Sequence, residues 1–164
     1  MKPGTSVRVA SADDVDEVAA CIHGLAEYEQ MADEVIWTLD QLRASLFGTH
    51  STTRVLLAID ETSGDVAGMA LWYPTFSTFL GKHGIWLEDL FVKPNYRGRG
   101  HGLALLHALR AMTDGRVEWN VLDWNQPSIE LYESLGAAAV PGWTRYRWLP
   151  DDAAPTPDPS LHRQ

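Results

Sequence analysis

Ile85-Trp86-Leu87-Glu88-Asp89-Leu90-Phe91-Val92-Lys93-Pro94-Asn95-Tyr96-Arg97-Gly98-Arg99-Gly100-His101-Gly102 is an apolar run, a proline stop and a glycine-rich turn in succession. The run from Ile85 to Val92 carries the β-branched and aromatic residues of a strand, and Pro94 cannot continue a ladder. Past the turn, Leu103, Leu105, Leu106, Leu109 and Met112 recur at the spacing of one helix face. Val117 to Leu122 then reads as another strand. A strand, a helical crossover and a second strand imply that 85–92 and 117–122 are parallel neighbours.

Upstream, residues 6–10 alternate as a first strand, and Ser11 to Asp14 fits a capping box. Val15, Val18, Ala19, Ile22, Leu25 and Ala26 follow at helical spacing to about Glu29. Thr38 suits the N-cap of a second helix ended by Gly48. Arg54 to Ile59 and Val66 to Tyr73 read as a hairpin around Glu61–Asp65. Downstream, 127–135 reads as a short helix stopped by Gly136, and 137–140 and 143–148 as a final pair of strands. The expected fold is α/β (α+β): one mixed sheet of six to seven strands, flanked by about four helices on both faces. One domain is expected over 1–150. The segment 151–164, with Pro155, Pro157 and Pro159, reads as a disordered tail.

The chain has 164 residues, 45% hydrophobic and 21% charged, an ordinary globular balance. Its net charge of −9 argues against a nucleic-acid partner, which needs a basic footprint. No apolar stretch approaches the roughly 20 residues needed to cross a bilayer, and residues 1–10 lack the pattern of a secretory signal. Cys21 is the only cysteine, so an intrachain disulfide is excluded. A cytoplasmic protein with no membrane partner is the expectation. The six histidines show no metal-ligand spacing, and no metal is expected. Charge is unevenly spread: nine acidic residues and no Lys or Arg lie between Ser11 and Leu42, whereas Lys93, Arg97 and Arg99 stand among no acids.

Three features carry chemistry. Gly98, Gly100 and Gly102 let the backbone turn tightly with its N–H groups uncovered, and a helix begins there. That makes an anion cradle suited to a diphosphate, strengthened by Lys93, Arg97 and Arg99. It lacks the Gly-Lys-Ser/Thr of a nucleotide-triphosphate loop, and it follows the fourth strand rather than the first, unlike a dinucleotide fingerprint. Glu88 and Asp89 are adjacent carboxylates within an apolar strand. Period-two alternation puts them on opposite faces unless a bulge intervenes. Lastly, Asp123-Trp124-Asn125-Gln126-Pro127-Ser128-Ile129-Glu130-Leu131-Tyr132 gives a helix with Asn125 as cap, Pro127 in its first turn, and Tyr132 on the face of Ile129.

In combination these stretches resemble the GNAT superfamily of acetyl-CoA-dependent N-acetyltransferases. The Arg/Gln-x-x-Gly-x-Gly/Ala signature falls on Arg97, Gly100 and Gly102. Further stretches at 25–29, 86–92, 96–102, 121–126 and 131–137 resemble the spermidine/spermine (diamine) and thialysine N-acetyltransferase branch. The resemblance implies acetyl-CoA as co-substrate, a small-molecule amine as acceptor and a homodimer, with Trp143, Tyr146 and Trp148 as interface candidates. It implies that the backbone at Leu90, Phe91 and Val92 pairs with the pantetheine arm. It implies that the segment Arg97, Gly98, Arg99, Gly100, His101, Gly102 and Leu103 takes the pyrophosphate, and that Asn125, Ser128 and Tyr132 contact the cofactor. The amine site it implies is lined by Tyr28, Glu29, Glu88, Asp89, Glu118, Trp119 and Asn120. The sequence departs from the polyamine branch at Thr78 and Pro141, where cation-holding carboxylates stand in that branch. Glu133, Ser134 and Leu135 replace a basic pair after the tyrosine.

An alkylamine of pKa ~10.4 is neutral in only about one molecule in 10³ to 10⁴ at pH 7, so supplying the nucleophile costs roughly 4–5 kcal/mol unless a base removes the proton. Glu88 is the expected base and Asp89 the second candidate; Tyr132, with a pKa of about 10, matches a leaving thiol near 8.5 as proton donor. A free N–H at Leu90–Val92 is suited to the developing oxyanion. A protein or peptide acetyltransferase and a non-catalytic CoA-binding module are the alternatives.

Overall fold

A computed structural model describes residues 4–151. The strands are β1 (Thr5–Val9), β2 (Arg54–Asp60), β3 (Val66–Ser77), β4 (Lys82–Val92) and β5 (Val117–Glu118). The helices are α1 (Val15–Tyr28), α2 (Leu39–Phe47), α3 (His101–Ala111) and α4 (Gln126–Ser134). The described residues fall into two compact units, one ending at Trp119 and the other beginning at Asn120.

In the first unit the five strands form one sheet in chain order. β1 to β4 pair antiparallel and β5 joins β4 in parallel, as the helical crossover through α3 requires. Alternation along β2 explains why both faces are covered. Val55 and Leu57 pack with Val18, Leu42 and Phe91 in the α1–α2 core, while Leu56 and Ala58 point the opposite way and are also buried. α3 covers that second face, and its Leu105 and Leu109 are fully buried. α1 approaches β4 closely: a Cβ on Gly24 would stand 2.6 Å from the Phe91 ring.

The expected boundaries hold for most elements. Thr38 caps α2 reciprocally, its Oγ1 accepting from the Gln41 amide at 3.2 Å while Gln41 Oε1 accepts from the Thr38 amide at 2.8 Å. Gly48 ends that helix. Asp14 accepts from the Ser11 amide at 2.8 Å and takes both Arg8 nitrogens at 2.8 Å, tying β1 to the entry of α1.

Two expectations fail. The sheet has five strands, not six to seven: 137–140 and 143–148 carry no ladder, and β5 stops at Glu118 rather than Leu122. Alternating apolar residues favour an extended backbone, but a strand exists only where a neighbour supplies hydrogen bonds. The C-terminal segment is also interrupted at Gly136 and Gly142, both at φ +86°, and at Pro141. In the second unit α4 forms where expected, with Pro127 in its first turn, but the Asn125 side chain makes no cap bond. Its carbonyl accepts from the Ile129 amide instead. The tail at 152–164 lies outside the described residues.

Thr38→Ala removes one side of the α2 cap. Stability falls by about 1 kcal/mol, which calorimetry reads as a Tm lower by about 2–4 °C for a chain of this size.

Candidate functional site

The site begins where β4 stops being an interior strand. Its ladder to β5 has two rungs, Ile85–Val117 and Trp86–Glu118. On the β3 side, Leu71 faces Asp89 and Trp72 faces Leu87, so Glu88 is the extra residue of a β-bulge. A bulge bends its strand and sharpens the local twist, and here it falls just beyond the last rung to β5. From Leu87 to Val92 that edge of β4 has no strand partner among the described residues. The Lys93 amide bonds back to Ala67 on β3. By alternation, the N–H and C=O of Leu90 and Val92 therefore point to the open edge.

The bulge also settles the carboxylates. Phe91 packs under α1, so Asp89 lies on the same face, near Glu29 at the end of that helix. Glu88 stays exposed, its Oε2 accepting from the Trp86 indole at 2.8 Å. The alternation that would separate the pair does not apply, and Glu29, Glu88 and Asp89 form one acidic group. Burial, reinforced by the charges of Glu88 and Glu29, pushes the Asp89 carboxyl up to about 7. Burial and then Glu88 push Glu29 up as well. Tyr28 stands beside this group at the end of α1.

At the other end of the open edge lies the turn. Gly98 and Gly100 adopt φ +75° and +95°, a region that disfavours side chains, and a Cβ at either would meet nothing within 4 Å. The outer side of the turn is thus uncovered, and Gly100 is the N-cap of α3 with no side-chain cap. Backbone donors, an open face and a helix N-terminus fit a diphosphate. Leu103 follows in the first turn of α3. The cations nearby are already engaged. Lys93 pairs with Glu17 at 2.6 Å. Arg97 donates Nε to the Val92 carbonyl at 3.0 Å and lies over the rings of Tyr28 and Phe91. Arg99 reaches Asp60 at 3.5 Å. A cavity of about 620 Å³ runs between α1 and this stretch, lined by Gly24, Tyr28, Phe91, Lys93 and Arg97 among others.

Thus the structure brings Tyr28, Glu29, Glu88, Asp89, the Leu90–Val92 edge and the 97–103 turn onto one flank of the first unit. Glu118 lies opposite Trp86 on β5 and Trp119 ends that unit. Asn120, Asn125, Ser128 and Tyr132 belong to the second unit, where Asn125 is buried and Ser128 and Tyr132 are half-buried on α4. The sequence reading missed Asp60 and Arg116. Neither lies in a motif, and only the folded arrangement shows Asp60 beneath the turn and Arg116 beside Glu118 in a second, small cavity. Among the described residues no group of His, Cys, Asp and Glu is suited to a metal ion.

The chain is similar to several known proteins. The signature described as "Acetyltransferase (GNAT) family" matches residues 12–137. A thialysine N-epsilon-acetyltransferase of Sus scrofa is 34% identical over 155 residues, 87% of this chain and 91% of that protein. An L-ornithine N5-acetyltransferase of Arabidopsis thaliana is 28% identical, covering 88% and 84%. In fold, an integron cassette protein from the mobile metagenome of V. cholerae superposes with a TM-score of 0.73 at 22% identity, over 92% of this chain and 94% of that one.

The Asp89 carboxyl sits above its ordinary 3.8, at about 7, so the folded chain holds a proton that the unfolded chain has released between those values. Stability therefore declines as pH rises through that window and is flat above it. Asp89→Asn removes the penalty: thermal melts show the variant more stable than the parent at pH 8 and equal to it near pH 4. Equal melts at both pH values contradict a protonated, half-buried Asp89.

Proposed function

Because the chain belongs to the GNAT family of acetyltransferases, we propose that it acetylates a primary amine of a small molecule from acetyl-CoA, the acceptor being of the thialysine, diamino-acid or polyamine class. One observation carries the reading: the open edge of β4 runs from an uncovered anion turn to a group of three carboxylates, two of them half-buried. Acetyl-CoA supplies the activated carbonyl. The amides from Gly98 to Leu103 would hold its diphosphate and the Leu90 and Val92 backbone its amide-bearing arm, with Asn125 and Ser128 as further contacts.

The chain's own groups divide the proton work. Glu29, Glu88 and Asp89 attract the cationic amine, and the negative first helix favours its approach. Glu88 was the first choice for base on the sequence, but burial favours Asp89: a carboxylate near 7 accepts a proton at working pH and is driven to do so by its neighbours' charge. Glu88, exposed and bound by the Trp86 indole, serves at the rim. Tyr132 holds a phenolic proton at Oη suited to protonating the departing thiolate.

Among acceptors, a diamino acid suits the surface better than a polyamine. On the same face, Thr75, opposite Gly84, lies four positions along β3 from Leu71, opposite Asp89, a span of about 13 Å. There a cavity of about 60 Å³ is lined by Thr75, Ser77, Lys82, Gly84, Arg116 and Glu118. That is room for a carboxylate-sized group, since a water takes about 30 Å³. Lys82 is paired with Asp114 at 2.9 Å, whereas Arg116 is exposed and belongs to no ion pair among the described residues. Arg116 is suited to a carboxylate there and Glu118, in the same lining, to the ammonium beside it, the pair that an amino acid carries and a polyamine lacks. The reading includes a cytoplasmic setting and a homodimer. Support for a second copy is the exposure of Trp143, Tyr146 and Trp148 in the C-terminal segment.

The test follows free thiol from acetyl-CoA with thialysine, lysine and ornithine beside diamines of matched length. Amino acids turn over faster. Arg116→Gln lowers their kcat/KM by about tenfold or more, the scale of one charge-assisted hydrogen bond, and spares the diamines. Tyr132→Phe lowers kcat by about 10²-fold or more, far more than it weakens acetyl-CoA binding. Coenzyme binding without thiol release for any amine overturns the enzymatic reading.

A further inference from the structure

Only three polar side chains are buried among the described residues, and two of them, Asp60 and His101, touch each other across 41 positions of sequence. Asp60 ends β2 at 0% exposure; His101 is the first residue of α3 at 1%. A carboxylate without solvent is costly unless fully partnered, and an apolar pair would fill the same space at less cost. The partners of Asp60 show what the carboxylate holds. Oδ1 accepts from the Thr62 and Ser63 amides at 3.0 and 3.1 Å, which folds the turn between β2 and β3. Oδ2 faces His101 Nε2 at 3.2 Å and Arg99 Nη1 at 3.5 Å. One oxygen serves its own turn and the other serves the glycine-rich turn.

The rest of that turn is fastened to the same place. His101 Nδ1 lies 2.8 Å from Thr5 Oγ1 on β1, so the imidazole is held at both nitrogens. With Nε2–H donated to the carboxylate, Nδ1 either accepts the Thr5 hydroxyl proton or, protonated, donates to its oxygen. Tyr96 donates its hydroxyl to Asp65 at 2.7 Å, meets the His101 ring edge-on, and carries the Arg99 guanidinium over its own ring. Thus Tyr96 just before the turn and Arg99 and His101 within it all tie to residues 60–65, and His101 ties to β1 as well. With their side chains bound inward, the Gly98 and Gly100 faces stay open.

We propose that Asp60, acting through His101 and Arg99, is a positioning residue that holds the 97–102 turn in its anion-binding shape. This rests on the reading that the turn takes the diphosphate of the coenzyme. Asp60 touches neither substrate; its effect is on coenzyme affinity. Outer partners of ligand-holding groups cost about 10- to 100-fold in affinity at metal sites, and an effect of that order is expected here.

The test measures equilibrium binding of CoA by calorimetry, beside steady-state kinetics, for Asp60→Asn, His101→Phe and the double variant. Each single variant raises the Kd for CoA and the KM for acetyl-CoA about tenfold, with kcat at saturating coenzyme and the KM for the amine unchanged. The double variant is no weaker than the worse single one, because both changes break one connection. Thr5→Val, which removes only the outer bond and keeps the side chain's size, raises the Kd by a smaller factor and carries the test if Asp60→Asn does not fold. Variants that melt normally and bind CoA as the parent does overturn the proposal, as does an equal loss in kcat and amine KM. A parent chain that binds no CoA overturns the coenzyme reading instead, so the two failures are distinct.

Discussion

Two rungs join β4 to β5, at Ile85–Val117 and Trp86–Glu118, and then the strands part. A sheet normally spends every backbone donor and acceptor on its neighbours, and an unpaired edge invites association. Here the edge is released where the Glu88 bulge twists β4 away. The same extra residue sets Glu88 and Asp89 together under the end of α1. One local insertion thus leaves a row of main-chain groups without a strand partner and gathers acids at one end of it. Neither would follow from a regular ladder, which would cover the edge and turn one carboxylate to the far face.

The two ends of that row are electrostatic opposites. The turn at 97–102 presents amides and a helix N-terminus, with its cations bound back to Glu17, Val92 and Asp60. Cations so restrained contribute positive potential while the main chain supplies geometry, which favours a diphosphate over an arbitrary anion. At the far end, burial and mutual repulsion hold Asp89 near 7 and raise Glu29. In the proposed reaction, between an anionic donor and a cationic acceptor, each partner would be attracted to its own end and repelled by the other.

Much of this was legible in the sequence because it is local. The Thr38 cap, the Pro94 stop, the glycine spacing and the parallel crossover depend on residues close in the chain, and each stands where expected. What escaped depends on neighbours. The bulge at Glu88 is a register shift against β3 that alternation cannot reveal. The segments at 137–140 and 143–148 have strand-like composition but no ladder partner among the described residues, and composition alone does not make a strand. Asp60 falls between the strand read at 54–59 and the turn read at 61–65, and only folding places it within reach of His101.

The acidic group explains why the site is polarised rather than merely negative. Two half-buried carboxylates, Glu29 and Asp89, beside the exposed Glu88 cannot both ionise cheaply, and Asp89 retains its proton nearest to neutrality. The titration belongs to the group: charge gained at Glu29 or Glu88 is felt at Asp89. In the proposed reaction an incoming ammonium would reverse that balance. It would compensate the repulsion, favour ionisation of Asp89, and so prepare the carboxylate to take a proton at the moment the amine must lose one. The proposed base would thereby be tied to the presence of its own substrate, a coupling that an isolated carboxylate would not provide.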